Sequence, residues 1–97
     1  MNKKISEEII SNSNTLIVYY RQGCHLCEQM LVSLYQQQKI HQSGVAFEIK
    51  IIDIDNNPKL LQQYNVDVPV VMYQDEVIFY HFFDEKEFKY TLKKMKK

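Results

Sequence analysis

Leu16-Ile17-Val18-Tyr19-Tyr20 is an unbroken apolar run of β-forming residues, the pattern of a strand covered on both faces. Arg21-Gln22-Gly23 interrupts it, and from Cys24 the period changes. Cys27, Leu31 and Leu34 share one face with Met30 beside them, while Glu28, Gln29 and Ser33 lie largely elsewhere. That spacing predicts an amphipathic helix ending near Ile40, with Ser43-Gly44 completing the turn. Val45, Phe47, Ile49 and Ile51 then alternate with Glu48 and Lys50. This predicts a strand over 45–51 with one wet flank, at a sheet edge rather than in its middle. Asp53-Ile54-Asp55-Asn56 closes it. Asn57 is placed as an N-cap with Pro58 at the first helical position of a short helix through Tyr64.

Val66-Asp67-Val68-Pro69 leads into a third apolar run, Val70-Val71-Met72-Tyr73. Gln74-Asp75-Glu76 reads as a tight connection and Val77 to Phe82 as the second strand of a hairpin. Asp84 with Glu87 three residues on has the form of a capping box at a last helix. That helix presents Phe88, Leu92 and Met95 to the core, and its end carries Lys93, Lys94, Lys96 and Lys97, matched to the negative pole of the helix dipole. The order is β-α-β-α-β-β-α: a right-handed parallel crossover, then an antiparallel hairpin, with helices on both faces of the sheet. Residues 1–14 are polar apart from Ile5, Ile9 and Ile10 and read as an N-terminal extension, a short helix or disordered, ahead of one domain over 15–97.

Ninety-seven residues suffice for one core and not for two. Twelve basic and twelve acidic residues balance, so no global field recruits nucleic acid or an anionic membrane. No apolar run approaches the roughly 18 residues of a membrane span. Glu7 and Glu8 interrupt the start where a signal peptide would need its apolar stretch. A cytoplasmic, monomeric protein is expected.

In a reducing compartment a cysteine pair is catalytic or metal-binding more often than it is a structural staple. The only two cysteines stand in Cys24-His25-Leu26-Cys27, at the start of the predicted helix. Positions i and i+3 share a face there, so the pair can close a small ring without moving the fold. A thiol at a helix N-terminus also sits where the dipole favours its reactive thiolate. Two buried structural thiols are the plain alternative. A metal or iron–sulfur site is weaker, because His25, His41 and His81 are scattered and offer no second ligand pair. His25 either stabilises a Cys24 thiolate as an imidazolium, and so tunes its pKa, or points away into solvent.

The strand Leu16–Tyr20, the motif Gly23-Cys24-His25-Leu26-Cys27 and the later Val68-Pro69 together resemble the thioredoxin-fold superfamily. More narrowly, the chain resembles the small glutaredoxin-like proteins, over roughly residues 15 to 95. The resemblance implies an α/β thioredoxin/glutaredoxin fold, a four-stranded mixed sheet flanked by helices. It implies a thiol–disulfide oxidoreductase in which Cys24 is the nucleophile and Cys27 the resolving thiol. The residue pattern agrees on the order, since Cys24 falls at the open helix start and Cys27 one turn inside. The resemblance further implies a cis Pro69 beside the cysteines, leaving the main chain of Val68 free for an extended substrate. It also makes Arg21, three residues before Cys24, a substrate-binding candidate that would meet a glutathione carboxylate.

Two departures bear on the ligand. Asp67 stands where glutaredoxins usually have Thr, and Phe79-Tyr80-His81-Phe82-Phe83-Asp84 lacks their glycine pair, whose backbone receives glutathione. Bulky side chains there obstruct a close approach to backbone. Protein disulfides or a small thiol are therefore the expected partners, with glutathione a disfavoured candidate and no other cofactor implied. Phe79, Tyr80, Phe82 and Phe83 cannot all face the core of so small a domain, and some could form an exposed patch. That patch supports the alternative of a non-catalytic redox-sensing or protein-binding module.

Overall fold

The first apolar run forms strand β1, Thr15–Tyr20, in the computed structural model, which describes residues 14–95. The expectations for 1–13, with Ile5, Ile9 and Ile10, and for Lys96 and Lys97 lie outside the described residues. Helix α1, His25–Ile40, follows, then strand β2, Glu48–Asp53, a 3-10 turn over Ile54–Asn56, and helix α2, Pro58–Tyr64. Strands β3, Val70–Tyr73, and β4, Glu76–Tyr80, precede helix α3, Glu85–Lys94. The strands lie in the order β2-β1-β3-β4. β1 runs parallel to β2, from Thr15 opposite Glu48 to Tyr20 opposite Asp53, and antiparallel to β3. β2 is an edge strand, as its alternation implies, and Ile51 on it is exposed.

Alternation along the central strand sorts the layers. Leu16 and Val18 point to one face and are wholly buried with Met30 and Leu34 of α1, Phe88 of α3, and Val71, Tyr73 and Phe79 of the hairpin. Phe88 meets Phe47 edge-on at 5.6 Å. Tyr19 points to the other face and stacks on Tyr64 of α2 with ring centroids 4.9 Å apart. Helices thus cover both faces of the sheet.

The helix starts are built as the residues suggest. Asn57 Oδ1 accepts the N–H groups of Lys59 and Leu60 at 3.1 and 3.2 Å, and Asp84 Oδ1 accepts that of Glu87 at 3.1 Å. In α3 Phe88 is buried and Leu92 half-buried, and Met95, which caps the helix end, is buried too. Thr91 is buried as well, its hydroxyl returned to the Glu87 carbonyl at 2.9 Å, which satisfies the group locally.

Several strand ends differ from expectation: β1 begins one residue early at Thr15, and β2 runs on to Asp53 rather than Ile51. β2 begins at Glu48 rather than Val45, because the carbonyls just before it bond to side chains instead of a neighbouring strand. Ala46 C=O accepts from Asn14 Nδ2 at 3.2 Å, and Phe47 C=O from Gln38 Nε2 at 2.9 Å. The hairpin turn is the two residues Gln74 and Asp75, both at positive φ (50° and 68°), the geometry that suits the twist of flanking strands. β4 therefore starts at Glu76. It stops at Tyr80 rather than Phe82, because His81 has φ 68° and ends the extended conformation. The aromatic cluster divides accordingly: Phe79 is buried and Phe83 half-buried, while Tyr80 and Phe82 are 53% and 67% exposed.

Candidate functional site

Strand register brings the site together. Tyr20, Asp53, Val70 and Tyr80 lie at one end of the sheet, since Tyr20 pairs with Asp53 and Val70 with Tyr80. The segments that continue from that end are Arg21–Cys24, Ile54–Asn56, Val66–Pro69 and His81–Asp84. This end, beyond the carboxyl termini of the parallel strands, is where open α/β sheets commonly hold ligands.

Gly23 turns the chain from β1 into α1 at φ 75°, a conformation L side chains rarely adopt. Cys24 is the N-cap of α1, with extended backbone (φ −96°, ψ 106°), and its carbonyl accepts the Glu28 N–H at 3.1 Å. Its Sγ accepts the Cys27 N–H at 3.1 Å. The sulfur thus sits where Ser or Asp oxygens usually cap a helix. Cys24 and Cys27 form a disulfide with Cα atoms 5.2 Å apart. Cys24 is half-buried, whereas Cys27 is wholly buried beside Met30 and Leu34. Part of Cys24 is reached by solvent and no part of Cys27 is.

The positive end of the helix and the Cys27 N–H both lie against the Cys24 sulfur. His25 is the first residue of α1 and exposed. Arg21 is half-buried and its Nε donates to Asp55 Oδ1 at 2.8 Å. Asp55 is itself held in the 3-10 turn, where Asp53 Oδ1 accepts its N–H at 2.9 Å. With both partners more than a third exposed, such a pair contributes at most about 1 kcal/mol. It does hold the guanidinium toward the end of β2.

The Val68–Pro69 bond is cis and Pro69 is buried. The Val68 N–H is not free, as the resemblance implied it would be. It donates to Tyr64 C=O at 3.1 Å, which also accepts the Asp67 N–H at 2.8 Å. Tyr64 ends α2, so its carbonyl lacks a helical partner and captures the next available donors. The Val68 carbonyl accepts no hydrogen bond among the described residues.

His81 belongs to this site, although in sequence it stands out only as a scattered metal-ligand candidate and as a member of the glycine-free stretch 79–84. Its main-chain N–H donates to Pro69 C=O at 2.9 Å, and its ring Nε2 lies 3.0 Å from Val66 C=O. The Phe82 N–H donates to Tyr80 C=O at 2.8 Å, closing a three-residue turn on His81. A non-glycine residue at positive φ in so tight a turn carries strain on the order of 1–3 kcal/mol. No sequence signal marks such a residue. Leu26, Met30, His81 and Phe82 border one small cavity of about 90 Å³, so the first turns of α1 face the 81–83 turn. Among the described residues no three His, Cys, Asp or Glu side chains converge as metal donors, and no helix is long and apolar enough to cross a membrane.

Comparison with known proteins agrees with this architecture. The sequence profile of the family described as Glutaredoxin-like domain (DUF836) matches residues 15–93. The chain is 32% identical over 89 residues to the glutaredoxin-like protein YDR286C homolog of Dictyostelium discoideum, covering 88% of this chain and 82% of that one. The solution structure of protein Ne2328 from Nitrosomonas europaea is 35% identical, with a TM-score of 0.70 over 93% of this chain and 96% of that one. The Deadhead thioredoxin of Drosophila melanogaster superposes with a TM-score of 0.55 at 21% identity, covering 96% and 90%. That likeness is one of fold. With a mixed four-stranded sheet, three helices and a cysteine pair opening the first of them, the chain has the thioredoxin fold and belongs to the glutaredoxin-like domain family.

Proposed function

We propose that the protein is a dithiol–disulfide oxidoreductase acting on protein disulfides. The observation that carries this reading is the asymmetry of the pair: Cys24 is half-buried with its sulfur at the helix N-cap, and Cys27 is wholly buried one turn inside. Reduced Cys24, as thiolate, attacks one sulfur of a substrate disulfide. A Cys24–substrate bond forms, the substrate bond breaks, and the other substrate sulfur leaves as a thiolate and takes a proton. Cys27, once deprotonated, attacks Cys24 Sγ. The mixed disulfide breaks, the second substrate sulfur leaves, and the Cys24–Cys27 disulfide found here forms. Two electrons pass from the protein to the substrate.

Val68 and Pro69 form the wall against which a substrate chain lies, with the Val68 carbonyl as its acceptor for a substrate N–H. Protein rather than glutathione is favoured by three features. Asp67 brings a negative charge next to Val68. Arg21, the cation available to a ligand carboxylate, is engaged by Asp55. His81 and Phe82 stand where a close approach to backbone would need glycine.

Trapping tests the assignment. Cys27→Ser is expected to accumulate mixed disulfides that dithiothreitol releases, seen as shifted bands on a non-reducing gel, and Cys24→Ser to accumulate none. Trapping by neither variant, together with no oxidation of the reduced wild-type protein by a disulfide, would overturn it.

A further inference from the structure

We propose that His81 is a positioning residue, whose ring and main-chain N–H together hold Val66–Pro69 in the shape that offers the Val68 carbonyl to a peptide substrate. This rests on reading Cys24–Cys27 as an exchange centre.

The Asp67 and Val68 N–H groups tie the middle of the segment to Tyr64 C=O, but neither holds the Val66 carbonyl at its outer end. Val66 is 78% exposed, so apolar packing does not fix it. Its carbonyl instead meets His81 Nε2 at 3.0 Å. A carbonyl oxygen can only accept, so the ring carries its proton on Nε2. The inner end is tied by the same residue, whose main-chain N–H reaches Pro69 C=O at 2.9 Å. Val68 lies between these two anchors.

The tight turn at φ 68° gives the ring its reach, and the ring is flanked edge-on by Tyr80 and Phe82 at 4.9 and 6.2 Å. Positive φ is uncommon for residues with a side chain, although Asn, Asp and His adopt it more often than most, and what this turn offers the His81 ring is the bond to Val66.

Asparagine and glutamine separate the two bonds. Asn tolerates the positive φ but its amide is too short for the Val66 carbonyl, whereas the Gln amide nitrogen reaches about as far as Nε2. Reduced protein is mixed with insulin, whose disulfides lie in polypeptide, or with 5,5′-dithiobis(2-nitrobenzoate), which has no peptide groups. His81→Asn is expected to slow oxidation by insulin about fivefold to tenfold, the worth of one such hydrogen bond. Oxidation by the aromatic disulfide should be unchanged. Amide exchange at Asp67 and Val68 should speed by a similar factor while Val18 and Val71 stay protected, and His81→Gln should restore both.

The proposal is overturned if His81→Asn leaves exchange at Asp67 and Val68 as in the wild type, if Gln fails to rescue, or if both disulfides slow equally. If wild-type protein reduces neither disulfide, the exchange-centre reading falls and substrate presentation with it. Amide exchange then still decides separately whether His81 holds the segment.

Discussion

Gly23 has φ 75°, and a Cβ built on it would meet no heavy atom within 4 Å. The requirement for glycine there is conformational rather than spatial. Gly23→Ala should therefore destabilise the fold by about 1–2 kcal/mol through backbone strain alone. Gly23→Asn, which tolerates the same φ, should cost less. Urea midpoints at constant m-value check this, and equal losses for Ala and Asn would point to a different cause. This position was legible from sequence as a break between strand and helix, as were Cys24 and Cys27, because each has a local consequence. Cys24 opens a helix and Cys27 falls on its apolar side. His81 was not legible. Its importance lies in bonds to Val66 and Pro69, fifteen and twelve positions back along the chain, and no neighbouring residue announces them. The engagement of the Val68 N–H is not legible for a related reason: its partner is a helix-end carbonyl four residues earlier.

Among the elements, the helices follow local rules closely enough to be read off their first turns. Asn57 caps α2 and Asp84 caps α3, each accepting N–H groups that have no helical partner. α3 depends on its cap more than its length suggests, since it is the element that brings Phe88 into the core. Asp84→Ala is expected to destabilise the protein by about 1 kcal/mol, and Asp84→Ser by much less. Thermal or urea unfolding reads both, and a neutral Asp84→Ala would mean that Phe88 packing alone sets the helix start. Strand ends were less legible. The alternation over 45–51 places Phe47 and Ile49 on the covered side, but Ile51, expected with them, is exposed, and pairing stops where Gln38 and Asn14 take the carbonyls of Phe47 and Ala46. β4 ends where one dihedral angle at His81 leaves the extended region. Both limits are set by partners outside the element.

For the molecule as a whole, one arrangement serves both stability and site: a central strand covered on two faces, with four connecting segments emerging at one end of the sheet. The apolar periodicity was enough to give the element order and the edge position of β2. The convergence of Val66–Pro69 with His81 required the pairing of Val70 with Tyr80, which periodicity does not supply. The two sheet faces also set how the protein should respond to alkali. Burial pushes the Tyr73 hydroxyl pKa above its ordinary 10.0, and Tyr73 is 4% exposed on the core face. On the other face Tyr19 is also raised above 10.0, by burial first and then by electrostatic interaction with Tyr64 and Asp75. A group whose folded pKa is raised keeps its proton longer in the folded state than in the unfolded chain. Its contribution is therefore fully present below the unfolded value and is lost as pH climbs through the folded one. The urea midpoint should be level with respect to these two tyrosines up to about pH 10 and decline above it. Tyr73→Phe removes the titrating hydroxyl from the core face and should make that decline shallower, leaving the part due to Tyr19. An identical decline in Tyr73→Phe and wild type between about pH 10 and 11 would show that ionisation in the core does not drive the alkaline loss of stability.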